Sequence, residues 1–120
     1  MNPESGQSIP RRIEKPWGNE LEFVLNEPCT VKIEQVLPGE AMSLQTHEGR
    51  DEFWRVLEGE GTLIIGDSEY QATVHDEYFI PRGTKHRIIG GAKAISVLEI
   101  AFGEWRADDI VHLEDKYGRT

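Results

Sequence analysis

The sequence predicts an all-β domain, an antiparallel barrel or sandwich, and three observations predict it. From Leu21 onward, short runs of β-branched and aromatic residues recur at close spacing. Clusters of Gly, Pro, Asn and Asp divide them, the residues that turns require. No long stretch carries apolar residues with the 3.6-residue period of a helix.

Taken in order, residues 1–10 are polar and punctuated by proline, and the reading extends them into a flexible arm over residues 1–15. The barrel domain then occupies residues 16–120, with Trp17 expected as core or rim filler. Strands are expected near Leu21–Leu25, Cys29–Leu37, Met42–His47, Glu52–Leu57, Gly61–Gly66, Glu69–Thr73, Glu77–Ile80, His86–Ile89 and Ala94–Phe102. Asn26-Glu27-Pro28, Pro38-Gly39, Glu58-Gly59-Glu60-Gly61, Gly66-Asp67-Ser68, Pro81-Arg82-Gly83 and Gly90-Gly91 are the expected separators. A brief helical turn is expected at Ala107 to Ile110.

A length of 120 residues leads to the expectation of one compact domain with no second barrel. Thirteen basic residues against twenty-two acidic ones give a net charge of −9, which argues against a nucleic-acid partner. An anionic small molecule would therefore need a locally basic pocket mouth, for which Arg50, Arg82, Lys85 and Arg87 are the candidates. Cys29 is the only cysteine, so no disulfide within the chain is expected. The first fifteen residues lack the apolar core of a signal peptide, and no run approaches the about twenty apolar residues of a membrane span. The expectation is a cytoplasmic protein with no membrane partner.

The residues that carry chemistry lie between Gly39 and Gly59 and again around His86. Gln45 and His47 stand two apart, so on a strand both side chains project from one face while Leu44 and Thr46 face the other way. After four intervening residues Glu52 can return on the next antiparallel strand beside His47. His86 follows a turn-type segment, Pro81-Arg82-Gly83-Thr84-Lys85, and starts another apolar run. Two imidazoles, one carboxylate and one amide oxygen can thus converge inside a small barrel as ligands of a divalent metal ion. Gln45 has a second reading, as a hydrogen-bonding partner behind the ligands. That ligand set suits Zn²⁺, Mn²⁺, Co²⁺ or Fe²⁺; zinc is the default, because an amide in place of an imidazole weakens the field that holds an oxygen-activating iron.

These motifs resemble those of the cupin superfamily. Gly39, five residues, Gln45-x-His47, four residues, Glu52, six residues and Gly59 is similar to the first cupin motif, with Gln45 in the first His place. Pro81-x-Gly83-x-x-His86 is similar to the second, with His75 and Gly90 where a Gly and an Asn are usual. Lys15-Pro16-Trp17-Gly18, Pro38-Gly39 through His47, Arg50-x-Glu52-x-Trp54, Ile80 through His86, and Asp108 through Arg119 further resemble the isomerase domain of type II phosphomannose isomerases. The resemblance implies a single-domain cupin, a double-stranded β-helix of jelly-roll type, that interconverts a sugar phosphate between aldose and ketose forms, most simply mannose 6-phosphate and fructose 6-phosphate. It implies a catalytic role for Arg50, with Lys85 anchoring phosphate or assisting proton transfer, and a homodimer. Gly49, Phe53 and His112 depart from residues usual in that family. A metal-dependent oxygenase and a non-catalytic sugar-binding or sensory cupin are the rival readings. His75 and His112 are expected in surface or structural roles.

Overall fold

A computed structural model describes residues 9–118. Nine strands form: β1 (Arg11–Lys15), β2 (Gly18–Glu22), β3 (Cys29–Val36), β4 (Leu44–Thr46), β5 (Arg50–Ile65), β6 (Ser68–Thr73), β7 (Glu77–Ile80), β8 (His86–Gly103) and β9 (Val111–Glu114). A 3-10 turn, Ala107–Asp109, lies between β8 and β9, where the sequence places a helical turn. Every pairing is antiparallel. No helix among the described residues is long and apolar enough to cross a membrane.

The first correction concerns the arm. Residues 1–8 lie outside the described residues, but Arg11–Lys15 is β1, paired with β2 in a hairpin of its own. The side chains of this hairpin are mostly exposed, and Trp17 at its turn is 70% exposed, so it is not core. Residue chemistry explains the misreading: a hairpin needs only paired backbones, and β1 is nearly all charged.

The second correction concerns the glycines. Gly59 and Gly61 lie inside the single strand β5, and Gly90-Gly91 inside β8. The β5–β8 pairing shifts register between Val56 and Glu58 and between Gly59 and Gly61. These are bulges, where a strand bends without ending. Gly59 has φ of +79°, and a Cβ there would lie 1.8 Å from the Ala94 carbonyl oxygen, so only glycine fits the corner. Composition that reads as a turn therefore serves as a bend in the two longest strands, from which the other sheet strands hang: β3 and β4 on β8, β6 and β7 on β5, and β9 on β4.

The bends enclose two kinds of interior. Trp54, Val56, Leu63, Ile88, Ile95 and Val97, all essentially unexposed, make a dry apolar core. Arg50, Glu52, Glu99, His47 and His86 are as deeply buried, at 3% exposure or less, and form the polar end.

Candidate metal centre

The polar end is assembled by two loops tied to each other. His47 follows the last residue of β4, and its carbonyl oxygen accepts the Gly83 backbone N–H at 2.8 Å. Gly83 has φ of +81° in the turn that leads into β8, whose first residue is His86. Arg82 donates its backbone N–H to Asp51 Oδ1 at 2.8 Å. The turn around Pro81 and the strand that carries Glu52 are thereby fixed at both ends, which brings the two sequence motifs together.

His47, Glu52 and His86 each offer a donor atom, and these atoms all lie within 4.8 Å of one another. His47 Nε2 is 2.9 Å from Glu52 Oε2, and His86 Nε2 is 3.9 Å from Glu52 Oε1. Neither Nε2 has a hydrogen-bond partner in the protein, although both are buried. His47 Nε2 and the carboxylate are thus in contact but out of hydrogen-bonding alignment. Ligands about 2.0–2.2 Å from one ion stand roughly 3–4 Å from each other, so the spacing suits coordination. The His86 ring is oriented for it: Nδ1 lies 2.8 Å from the Thr84 carbonyl oxygen, which claims the ring proton and leaves the Nε2 lone pair facing inward. Trp54 donates its indole N–H to Glu52 Oε1 at 2.9 Å, and its ring meets His86 edge-on at 5.6 Å. The cluster can hold a metal ion.

Electrostatics agree with ligand roles. Burial favours the neutral form of Glu52, but the His47 ring beside it, the attraction of both imidazoles and the Trp54 bond outweigh that and hold the carboxyl at about 2. Burial lowers His86 below the ordinary imidazole value, opposed by Glu52 and the Thr84 carbonyl. An ionised Glu52 and a His86 that gives up its proton readily are the forms that bind metal.

Gln45 is paired directly with His86 across β4 and β8, which places the two side chains on one face of the sheet. Arg50 is brought in as well. Its Nε is 3.3 Å from Glu52 Oε2, its guanidinium lies 4.9 Å from the Trp105 ring centre, and one terminal nitrogen, NH1, is buried with no partner. Lys85 is not brought in: its Nζ is 3.2 Å from Asp67 Oδ1, and Asp67 is almost fully exposed. His112 is structural, with Nδ1 2.7 Å from the Ser43 hydroxyl, and His75 occupies a positive-φ turn on the surface.

Sequence reasoning missed three residues of this end. Lys32 and Glu34 of β3 face inward, while Val31 and Ile33 are 55% and 64% exposed. Glu99 of β8 stands opposite Lys32 and also opposite Trp54 of β5. Burial, the charges of Glu52 and Glu34, and contacts with both push the Glu99 carboxyl up to about 10. Burial likewise raises Glu34, against its contact with Glu99 and the pull of Lys32 and Arg50. The signal available was the alternation in Val31-Lys32-Ile33-Glu34, whose polarity is the reverse of an ordinary half-buried strand.

Comparison with known proteins follows the same line. Residues 2–115 match the family described as the mannose-6-phosphate isomerase C-terminal domain. The chain is 35% identical over 112 residues to the xanthan biosynthesis protein XanB of Xanthomonas campestris, covering 92% of this chain and 24% of that protein. It is 34% identical over 122 residues to a mannose-1-phosphate guanylyltransferase of Klebsiella pneumoniae, covering 99% of this chain and 26% of that protein. The chain thus spans about a quarter of the length of the curated relatives it matches. Among solved structures, a cupin 2 conserved barrel domain protein from Rhodopseudomonas palustris superimposes with a TM-score of 0.61 at 20% identity, over 70% of this chain and 62% of that one.

Proposed function

The chain belongs to the mannose-6-phosphate isomerase C-terminal family, and from that premise we propose that it interconverts the aldose and ketose forms of a hexose phosphate, mannose 6-phosphate and fructose 6-phosphate first. The observation that carries this reading is the pair of buried, partnerless imidazole nitrogens facing the Glu52 carboxylate. His47, Glu52 and His86 would hold the ion, with Gln45 beside His86, and zinc is the metal best suited to this donor set. A bound zinc ion supplies Lewis-acid stabilisation of charge at the sugar oxygens.

The remaining work falls to side chains. Glu52 is oriented by the Trp54 indole N–H and by Arg50 Nε. Arg50 keeps NH1 free in a buried place, where it can donate to the oxygen that gains negative charge. Glu99, in contact with Glu52, is the carboxyl of this end that holds a proton at neutral pH. Of the other basic candidates, Arg82 is paired with Asp51, Lys85 with Asp67 and Arg87 with Glu114, all toward the outside. Lys32 Nζ instead lies 3.5 Å from the Trp105 ring centre at the edge of the polar end, and it is our candidate for the phosphate.

The test joins metal analysis of the purified protein to an assay of mannose 6-phosphate consumption. About one zinc per chain is expected, with turnover abolished by a chelator and restored by the metal. A protein that takes up no divalent cation overturns the reading. Iron with oxygen uptake would make it an oxygenase, and metal without turnover a binding protein.

A further inference from the structure

An aldose becomes a ketose only if a proton moves from C2 to C1, and a positioned base carries it. The carboxyls near the polar end are engaged. Glu52 belongs to the metal cluster, Glu34 and Glu99 contact each other, and Asp109 holds the backbone of Glu48 and Gly49. Of the four histidines, His47 and His86 belong to the metal cluster and His75 lies on the surface, which leaves His112.

Strand pairing puts that imidazole in the site. Along β9, Val111 and Leu113 are 55% and 48% exposed, and His112 turns inward between them. Gln45 pairs with His86 on one side and with His112 on the other, so the three residues share one face of the sheet. His112 thus stands two strand spacings, about 10 Å, from His86. A contact fixes the inward turn: Nδ1 lies 2.7 Å from the hydroxyl of Ser43, which is 2% exposed. That bond occupies one nitrogen of the ring. Nε2 makes no hydrogen bond among the described residues, and the side chain is only half-buried, so a molecule in the polar end can reach it. One ring nitrogen anchored and the other free is the state an imidazole needs for proton transfer.

Resting on the isomerase reading above, we propose that His112 is the base that carries the proton between C2 and C1, with Ser43 as its positioning residue. In the tautomer whose Nδ1–H donates to Ser43 Oγ, the Nε2 lone pair is free. Nε2 takes the C2 proton as the C–H pair becomes the C1=C2 double bond, and the aldehyde oxygen takes up the charge, to which Arg50 NH1 can donate. The hydroxyl proton of O2 passes to O1. Nε2 then returns its proton to C1 as the carbonyl forms at C2, and no other reactant is consumed.

The experiment follows mannose 6-phosphate with the zinc-loaded full chain in heavy water, for wild type, His112→Asn and His112→Ala. Wild type is expected to place solvent deuterium at C1 of fructose 6-phosphate, because a proton held on an imidazole exchanges with water. His112→Asn, whose short amide can still meet Ser43, should lower kcat by about a hundredfold or more. Its calorimetric affinity for the sugar, zinc stoichiometry and urea midpoint should stay close to wild type. Added imidazole should restore turnover to His112→Ala in proportion to its concentration and leave wild type unaffected, an effect that a purely structural histidine does not give. Undiminished turnover in either variant, sugar affinity lost in step with turnover, or no rescue by imidazole overturns the role of His112 and leaves the isomerase reading standing. Product free of solvent deuterium, the mark of a hydride shift, does the same. A zinc-loaded wild type that leaves mannose 6-phosphate unchanged overturns both.

Discussion

The two ends of the interior are built on the same strands and are equally buried, yet they are chemically opposite. Along β5, Arg50 and Glu52 give way to Trp54, Val56 and Leu63; along β8, Ile88, Ile95 and Val97 give way to Glu99. The apolar end returns about 25 cal/mol for each Å² it removes from water. The polar end does the reverse, holding carboxyls against their preferred ionisation and leaving nitrogens unpaired. Burial by itself therefore does not tell core from site in this molecule. What tells them apart is whether the buried polar atoms are answered by the protein. Trp54 sits at the junction, its ring in the core cluster and its indole N–H on Glu52.

The sharpest way to break this division is to cut one residue from each end. His47→Ala should abolish tight zinc binding and lower turnover by about a thousandfold or more, the loss of several kcal/mol of Lewis-acid stabilisation, with little loss of resistance to urea. Leu63→Ala, unexposed in the core, should lower unfolding free energy by about 2–5 kcal/mol and leave metal uptake unchanged. Metal content and urea denaturation of both variants read the two effects separately. A Leu63→Ala protein that sheds zinc while still folded would show that the ends are one unit.

A subtler contrast lies in pH. The metal-free protein carries two buried carboxyls shifted in opposite directions. Glu52, held down to about 2, contributes stability that is present above the ordinary value of 4.5 and is lost as pH falls from there toward 2. Glu99, pushed up to about 10, does the opposite: full stability below 4.5, lost progressively as pH rises from 4.5 toward 10. Glu99→Gln should therefore flatten the decline in unfolding free energy of the metal-free protein between about pH 5 and pH 9, as measured by urea titration at several pH values. An unchanged slope would mean that Glu99 is ionised in the fold and that its place in the polar end has been misjudged.

How much of this could be read from the sequence follows from the same contrast. The all-β class was legible because strand residues and turn residues alternate locally. The His47, Glu52 and His86 cluster was legible from the spacing of the two motifs, but the expected return of Glu52 on a strand paired with that of His47 is not what joins them: β4 pairs with β8 and β9, while Glu52 lies on β5. Strand length was not, because Gly59 and Gly90 look alike whether they turn a chain or bend it, and only the partner strand decides. Glu34 and Glu99 were illegible one at a time: each is an ordinary charged residue until β3 and β8 pair antiparallel and turn both inward. Val31 and Ile33, which seem the natural inner face of β3, are the exposed one.

The loop that carries the first ligands illustrates the same point and gives the smallest effect. Glu48 and Gly49 lie between His47 and Arg50, and their backbone N–H groups are both taken by one carboxylate, Asp109, at 3.2 Å and 2.8 Å. Those two bonds hold the Asp109 carboxyl below its ordinary value. A Cβ at Gly49 would lie 2.8 Å from Asp109 Oδ2 and 3.3 Å from the Glu104 carbonyl oxygen, so a larger side chain there would have to displace the Asp109 side chain. The clasp reaches sixty residues along the chain to fix the backbone between His47 and Arg50, and Asp109 is tested as a positioning residue. Asp109→Ala should weaken zinc binding by about tenfold, the scale of a lost partner behind a metal ligand, and Asp109→Asn, which keeps one acceptor oxygen, should fall between. Competition with a chromophoric chelator measures both. Because the apolar end is untouched, the urea midpoint of the metal-free Asp109→Ala protein should move far less than that of Leu63→Ala; wild-type zinc affinity in Asp109→Ala would show that the loop holds His47 in place without the clasp.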